Sequence, residues 1–221
     1  MITIIDYKAG NAPSVYHAVT HLGYGAVLAS RPEQIAEASH IILPGVGSAK
    51  ATMESLAEMD LLLALEETVM RKKILFLGIC VGLQILFEHS EEENADCLGW
   101  LPGQVVKFDA SKVRVPQMGW NQARFVKNVF GCARDDFFYF VNSFYAKPEN
   151  EDDLWGIAEY DVPFAAAVCR NNIYATQFHI EKSGEAGLKL LDGFLSLAWS
   201  AGVTPANYLK NAGETPALHK E

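Results

Sequence analysis

The sequence predicts an α/β fold with a mainly parallel central sheet and helices on both faces. Over the first half of the chain, short apolar runs typical of buried strands alternate with helical patterns. This alternation favours parallel strands joined by crossover helices. Residues 99–176 are instead rich in Val, Phe, Tyr and turn residues, which favours antiparallel strands that extend the sheet.

The elements follow one another along one domain, residues 1–200. The predicted strands of its first half are the apolar runs at 2–5, 25–29, 40–43 and 74–77. Helical spacing of apolar residues lies between them, at about 13–22, 32–38 and 61–71, and a last helix spans about 184–199. Residues 201–221 contain two prolines, two glycines and few large apolar residues. We interpret them as a flexible C-terminal tail.

The turn around Cys80 is the most informative feature of the chain. Residues 73–77 are a predicted buried strand and residues 83–87 the start of a helix, so Cys80 lies on the tight turn between them, flanked by Gly78 and Gly82. A crowded, strained turn needs neighbours without a Cβ atom, as in G-x-S-x-G nucleophiles. The nearby helix start also stabilises a thiolate. The sequence therefore predicts a cysteine nucleophile; the alternative is a small buried cysteine packed under a helix.

A candidate base for this nucleophile lies about a hundred residues later. Residues 172–178 form a predicted strand that leads into His179, Ile180 and Glu181. An imidazole activates a thiol, and a carboxylate holds that imidazole in one tautomer. Because alternate residues of an extended segment point to the same side, His179 and Glu181 can face Cys80 together. Considered without Cys80, a His and a Glu on a surface loop would be the simpler interpretation.

The segment from Pro44 to Gly47 has a matching chemical interpretation. Attack on a carboxamide creates an oxyanion, which needs preorganised backbone N–H donors. The N–H of Val81, next to the nucleophile, is one candidate donor. The turn at Val46 and Gly47 can supply a second, since glycine tolerates both signs of φ. The alternative is an ordinary turn at the end of a strand.

The composition is that of a globular enzyme. The chain has 221 residues, half of them hydrophobic, yet no apolar run approaches the roughly 18 residues of a membrane span. We also expect no signal peptide, because the first residues lead straight into a predicted strand without a basic segment or cleavage site. The four cysteines lack metal-ligand spacing, which indicates free thiols in a reducing cytoplasm. The net charge of −9 argues against nucleic acid as a partner. We expect a cytoplasmic protein without metal or cofactor.

The segments 78–84 (GICVGLQ) and 178–183 (FHIEKS) resemble those of class I, triad-type glutamine amidotransferases. Segments 5–7, 10–11, 43–47, 115–121 and 139–145 narrow the resemblance to the glutaminase subunits of imidazole glycerol phosphate synthase, an enzyme of histidine biosynthesis. The resemblance runs from residue 2 to about residue 199. It implies that Cys80, His179 and Glu181 are the catalytic triad.

The resemblance also implies a substrate and a partner. L-glutamine is hydrolysed to glutamate and ammonia, and the ammonia is channelled to a (βα)₈-barrel cyclase subunit within a heterodimer. The turn at Val46 is implied to flip before it becomes competent, under the control of the partner. The residues implied to bind glutamine are Gly47, Gln84, Glu92, Asn142, Ser143 and Phe144. Those implied to lie at the subunit interface are Asn11, Met118, Trp120, Asn121, Tyr139 and Lys182. For Met118 and Trp120, core packing remains an equal alternative.

Four positions depart from the family pattern. Ile180 stands where proline usually separates the catalytic His and Glu, Gln117 and Asn142 where histidine is expected, and Lys8 where glycine is expected. These changes leave the triad intact but bear on loop geometry and coupling. Three other functions therefore stay open: an amidotransferase paralogue that feeds another acceptor such as a sugar nucleotide, a non-catalytic interaction subunit, and a stand-alone cysteine hydrolase.

Overall fold

The computed structural model describes residues 1–8, 11–130 and 135–197. The predicted tail at 201–221 lies outside these ranges and stays a prediction. The last helix, predicted to reach about residue 199, ends at Leu195 with Ser196 as its C-cap. The described strands, in chain order, are β1 Ile2–Ile5, β2 Ala26–Ala29, β3 His40–Gly45, β4 Leu75–Cys80, β5 His89–Ser90, β6 Ala95–Asp96, β7 Gly103–Lys107, β8 Gln117–Phe125, β9 Asp136–Asn142, β10 Phe144–Pro148, β11 Leu154–Tyr160, β12 Val162–Arg170 and β13 Ile173–Thr176.

A nine-stranded mixed sheet forms the centre of the molecule, in the order β2-β1-β3-β4-β13-β12-β11-β8-β9. The five strands from β2 to β13 are parallel. From β13 to β9 every pairing is antiparallel. The predicted parallel sheet with an antiparallel extension is therefore confirmed. Strands β1 and β4 are buried throughout, as expected where helices cover both faces of a parallel sheet.

Part of the 99–176 stretch does not join this sheet. Strands β7 and β10 instead form a second, four-stranded sheet with β5 and β6. Phe108 stacks on Tyr145 of β10 with ring centroids 4.5 Å apart, and it also meets Phe164 of β12 edge-on at 5.3 Å. These rings join the small sheet to the large one through side-chain packing rather than strand pairing.

The helices flank the sheet, and some of their bounds differ from the predictions. They are α1 Ala12–His21, α2 Pro32–Ile35, α3 Ala49–Glu58, α4 Leu61–Leu65, α5 Val81–Gln84 and α6 Gly184–Leu195. Helix α3 was not predicted, although Ser48 caps it by accepting a hydrogen bond from the Ala51 N–H at 3.2 Å. Helix α4 continues as a π-helical segment, Glu66–Arg71. In the described ranges, no helix combines the length and the apolar character of a membrane span.

The helix predicted to start at residues 83–87 is wrong. Helix α5 has four residues and ends at Gln84. The carbonyls of Ile85, Leu86 and Phe87 accept hydrogen bonds from the N–H groups of residues 98, 101 and 99. All three side chains are fully buried. The backbone carbonyls of this apolar run are therefore bonded to a returning segment rather than to a following helical turn.

Candidate active site

Three chain segments meet at the carboxyl edge of the parallel strands. Strand β4 ends on Cys80, and its neighbours are β3 on one side and β13 on the other, with Gly45 opposite Cys80 and Thr176 opposite Ile79. His179 follows β13 by three residues. Functional groups of open α/β sheets collect at this edge, and the register here brings together the predicted nucleophile, base and oxyanion turn.

The backbone at Cys80 is strained. Its φ is 56° and its ψ is −107°, in a region that non-glycine residues rarely occupy, and only 4% of the residue is exposed. Such a conformation costs of order 1–3 kcal/mol and persists only where the surroundings impose it. The turn aims the sulfur at the cavity described below.

The glycines around Cys80 are required by close packing. A Cβ atom on Gly78 would lie 2.4 Å from the Gly82 carbonyl oxygen, and one on Gly82 would lie 2.1 Å from the Leu43 carbonyl oxygen. On Gly45 it would lie 2.7 Å from the Val81 Cβ. In each case the neighbouring atom belongs to the backbone or lies next to it, so no side-chain rotation can make room. This is the crowding that the sequence predicts.

His179 and Glu181 form a buried pair. The His179 Nδ1 lies 2.9 Å from Glu181 Oε1, and the two side chains are 4% and 1% exposed. With Nδ1 bonded to the carboxylate, Nε2 is the ring nitrogen left to bond with Cys80. Burial alone lowers the pKa of His179, but the hydrogen bonds and charges of Cys80 and Glu181 outweigh it and raise this pKa to about 10. The imidazolium is thus held between sulfur and carboxylate at neutral pH.

Two amides that the sequence analysis did not assign to the triad also contact it. The Asn11 Nδ2 donates a hydrogen bond to Glu181 Oε1 at 2.7 Å. Gln177, fully buried, directs its Nε2 at the Cys80 sulfur at 3.7 Å and accepts a hydrogen bond from Gln84 Nε2 at 3.1 Å. The sequence could have indicated Gln177, because an amide inside an apolar strand pattern needs a buried hydrogen-bond partner.

A cavity of about 250 Å³ opens over the Cys80 sulfur. It contains every residue that the sequence analysis proposed for the oxyanion and for glutamine, together with Cys80 and His179. The lining residues are Val46, Gly47, Cys80, Val81, Gln84, Glu92, Pro116, Val141, Asn142, Ser143, Phe144 and His179. The Glu181 side chain does not line it and lies behind His179.

Glu92 is the acidic side chain of this lining. Burial raises the pKa of Glu92, and the charge of Glu93 adds to that increase. The Ala49 N–H, 3.2 Å from Glu92 Oε2, and the charge of Lys107 act in the opposite direction. A half-buried carboxylate on this wall suits a ligand ammonium group.

The two candidate oxyanion donors differ in their present partners. Val81 begins α5, so its N–H has no acceptor within the helix. The Val46 backbone instead hydrogen bonds to the hydroxyl of Tyr7, a buried residue whose Oη also lies 3.5 Å from Thr52 Oγ1. Gly47 has a φ of 93°, which permits the turn to change conformation.

Some of the proposed interface residues are exposed on β8 and β9, whereas others bond to neighbouring segments of the chain. Met118 and Trp120 are 66% and 57% exposed on β8, so the alternative of core packing is wrong. Tyr139 lies opposite Trp120 on the edge strand β9, with the rings in edge-to-face contact. Asn121 points to the other side of β8 and donates to the Glu159 carbonyl at 2.9 Å. Lys182 is exposed beside the triad.

The contact of His179 with Cys80 predicts that Cys80 is more reactive than Cys97. Because the His179 side chain hydrogen bonds to the Cys80 sulfur and can activate it, iodoacetamide should alkylate Cys80 first. Burial and then the Asp96 charge raise the pKa of Cys97 to about 11, so its alkylation should rise with pH. At pH 7 we expect Cys80 to react at least about 100-fold faster, measured peptide by peptide by mass spectrometry. The His179→Gln variant is the control that should remove this preference. Similar alkylation rates for the two wild-type cysteines at pH 7 would contradict activation of Cys80 by His179.

A family model described as glutamine amidotransferase class-I matches residues 3–196. Among curated proteins, the imidazole glycerol phosphate synthase subunit HisH of Dehalococcoides mccartyi is 43% identical over 202 residues, which cover 90% of this chain and 98% of that protein. The HisH 2 subunit of Methanococcus maripaludis is 39% identical over 202 residues, with coverages of 90% and 100%. The HisH of Neisseria meningitidis is 41% identical over 209 residues, with coverages of 87% and 98%.

Solved structures share the fold at lower identity. A crystal structure of a glutamine amidotransferase superposes with a TM-score of 0.72 at 19% identity, over 91% of this chain and 99% of that one. The structure of PurLQS from Thermotoga maritima gives a TM-score of 0.70 at 18% identity, with coverages of 88% and 96%. The chain therefore belongs to the class-I glutamine amidotransferases and, within them, to the HisH group of imidazole glycerol phosphate synthase subunits. The resemblance seen in the sequence is confirmed.

Proposed function

We propose that this chain is the glutaminase subunit that supplies ammonia to the cyclase subunit of imidazole glycerol phosphate synthase, with Cys80, His179 and Glu181 as its triad. The observation that carries this proposal is the buried His179–Glu181 pair beside a strained cysteine, at the base of a cavity of about 250 Å³. A non-catalytic subunit would have no need of the strain at Cys80 or of a histidine whose pKa is raised to about 10.

The first half of the reaction forms a thioester. The Cys80 thiolate attacks the carboxamide carbon of glutamine, and the carbonyl electron pair moves onto oxygen. The N–H of Val81 and an N–H of the turn at Val46 and Gly47 stabilise that oxyanion. When the oxyanion collapses, the C–N bond breaks, and the His179 imidazolium donates its proton to the leaving nitrogen. Ammonia and a γ-glutamyl thioester on Cys80 result.

The second half returns the enzyme to its starting state. Neutral His179 takes a proton from water, and the oxygen attacks the thioester carbon. The C–S bond then breaks to give glutamate and the Cys80 thiolate, which again pairs with the imidazolium. Throughout, Glu181 holds His179 Nδ1–H, which keeps Nε2 directed at the sulfur.

Glutamine binding should depend on the charge of Glu92. The cavity lining supports a substrate pose in which Glu92 meets the α-ammonium group and the segment from Asn142 to Phe144 borders the backbone end of the substrate. Gln84 and Gly47 complete the lining. Gln84 Nε2 already donates to the Phe144 carbonyl at 3.0 Å, so Gln84 also fixes the segment that borders the substrate.

The Glu92→Gln variant should raise the KM for glutamine and leave kcat nearly unchanged. A hydrogen bond to a charged group contributes about 1.5–3 kcal/mol, so we expect an increase of roughly 10- to 100-fold. Because the pKa of Glu92 is raised, the wild-type KM should also increase on acidification earlier than for an ordinary carboxylate. Steady-state kinetics measure both. Glu93→Gln, which changes the neighbouring exposed carboxylate, is the matched control; an equal effect there would show that only general charge matters.

The oxyanion turn provides the point of control. In the present conformation the Val46 backbone is engaged by Tyr7, so only Val81 is ready to donate. The turn must change conformation at Gly47 before it can stabilise the oxyanion. Partner binding that favours this change would couple ammonia production to the presence of the acceptor.

The docking surface that we propose for the (βα)₈-barrel cyclase is the exposed face of β8 and β9. Met118, Trp120 and Phe137 expose more than half of their surfaces there, and exposed apolar patches of this kind mark interaction sites. The same strands contact the catalytic loop, because the Tyr139 carbonyl accepts the His179 N–H at 2.9 Å and the Tyr139 N–H donates to Ser183 Oγ at 3.0 Å. A partner on this face would therefore lie one hydrogen bond from the triad.

The described cysteines are free thiols, which supports a cytoplasmic location.

Glutamate release with and without the cyclase subunit and its nucleotide ligand tests the whole proposal. We expect little activity from the chain alone and strong activation by both additions. Trp120→Ala should weaken that activation at least about tenfold, because large aromatic residues dominate interface energies. Leu63→Ala removes an exposed apolar side chain from α4, 83% exposed, and should have no effect. Full activity without a partner would instead indicate a stand-alone hydrolase.

A further inference from the structure

The catalytic carboxylate has an unusual set of hydrogen-bond partners. Glu181 Oε1 accepts both the His179 Nδ1–H at 2.9 Å and the Asn11 Nδ2–H at 2.7 Å. The second oxygen, Oε2, is buried and has no partner among the described residues. Asn11 therefore supplies one of the two described donors that hold this buried carboxylate in place.

Asn11 is not serving the role that its position in the fold would favour. It is the residue before α1, where asparagine side chains commonly cap the helix. Its side chain makes no cap hydrogen bond and reaches instead to Glu181, 170 residues away along the chain. The contact joins the end of the loop that follows β1 to the catalytic loop.

We propose that Asn11 is a positioning residue of the triad, which fixes the Glu181 carboxylate so that Oε1 stays on His179 Nδ1. This inference rests on the proposed triad and adds to the subunit contact expected for Asn11 from the family resemblance. Without the amide donor, Glu181 can rotate about its side chain toward an unpartnered geometry. The imidazolium then loses part of its stabilisation, and with it the thiolate of Cys80.

The charged groups near the pair are few, and one of them is the exposed Lys182, which follows Glu181 in the chain. Cys80 and Glu181 are the charges that act on His179. Tyr7 lies within electrostatic range of Cys80, and Glu92 lies across the cavity. Among these groups, Glu181 is the one that is bonded to Asn11, so a shift in the pH profile of Cys80 after a change at Asn11 would report on Glu181.

The test is the pH dependence of Cys80 alkylation in the full chain without a partner, for wild type and for Asn11→Leu. Leucine keeps the number and branching of the side-chain heavy atoms and removes the donor. We expect the acid limb of the profile to move up by roughly one pH unit, the equivalent of a tenfold loss in stability of the ion pair. Asn11→Leu introduced into the Glu181→Gln variant should cause no additional shift, because the carboxylate that Asn11 positions is already absent. Asn172→Ala, which removes a buried asparagine bonded to the Val69 and Ile74 carbonyls, controls for general destabilisation and should leave the profile in place.

An unchanged profile for Asn11→Leu, or an equal extra shift in the Glu181→Gln background, would overturn the inference. An Asn11 that only touched the partner would alter kinetics in the complex and nothing in the chain alone. Glutamate release from the wild-type complex tests the proposed function separately. If the wild-type complex releases no glutamate but the alkylation experiments give the expected results, the proposed function is contradicted and the coupling between Asn11 and Glu181 still holds.

Discussion

Replacing Cys80 with alanine is expected to abolish glutamine-dependent synthesis by the assembled enzyme and to spare synthesis from added ammonium. The alanine has no nucleophile, so no thioester can form, and a loss of at least about 10³-fold follows. The acceptor subunit receives ammonia from solution instead and needs nothing from the triad. Both rates are measured on one preparation, with the two nitrogen sources compared at saturating acceptor.

Cys97→Ala is the matched control for that experiment. Cys97 is partly buried, and its thiol donates to the Ala95 carbonyl at 3.6 Å. Its removal should leave both activities unchanged. Equal loss of glutamine- and ammonium-dependent synthesis in Cys80→Ala would mean that the cysteine supports the assembly rather than the chemistry.

The Gly82→Ala variant should show the second large effect, on stability as well as on activity. Its Cβ would lie 2.1 Å from the Leu43 carbonyl oxygen, so either β3 or the nucleophile turn must move. We expect a loss of about 3 kcal/mol or more in the free energy of unfolding, at the upper end for single substitutions. Chemical denaturation of the purified variant measures it.

Gly25→Ala separates this steric effect from the general cost of replacing glycine. No atom lies within 4 Å of a Cβ placed on Gly25, and the residue is exposed. Its free energy of unfolding should stay within about 1 kcal/mol of the wild-type value. Similar losses for the two variants would contradict the close packing of the turn against β3.

The fold could be predicted wherever local pattern and tertiary environment agree. The strand at β1 and the helix α1 lie close to their predicted positions because their apolar spacing matches the faces they bury. The run at 85–87 misled the helix prediction, since its periodicity cannot distinguish a buried helix from a buried segment paired by its backbone. The second sheet was also out of reach, because the choice between pairing in the main sheet and packing on it through Phe108 depends on distant residues.

The site shows the same division. Cys80 and His179 could be found because glycine spacing and chain order carry their chemistry. The structure adds two facts that no local pattern contains: the Val46 backbone is held by Tyr7, and Glu181 is held by Asn11. Both contacts join residues far apart in the chain. They exist only because the strands β1, β3, β4 and β13 are neighbours in the sheet.

Labelling by the glutamine analogue 6-diazo-5-oxo-L-norleucine, in the presence of the cyclase subunit, tests the central claim most directly. The amino-acid end of this molecule matches that of glutamine, so binding in the glutamine site would place the diazoketone against the Cys80 sulfur. We predict one label, on Cys80, with protection by glutamine and loss of labelling in His179→Gln. Label on other cysteines without glutamine protection, or no label while the complex is assembled, would contradict a glutaminase built on Cys80, His179 and Glu181.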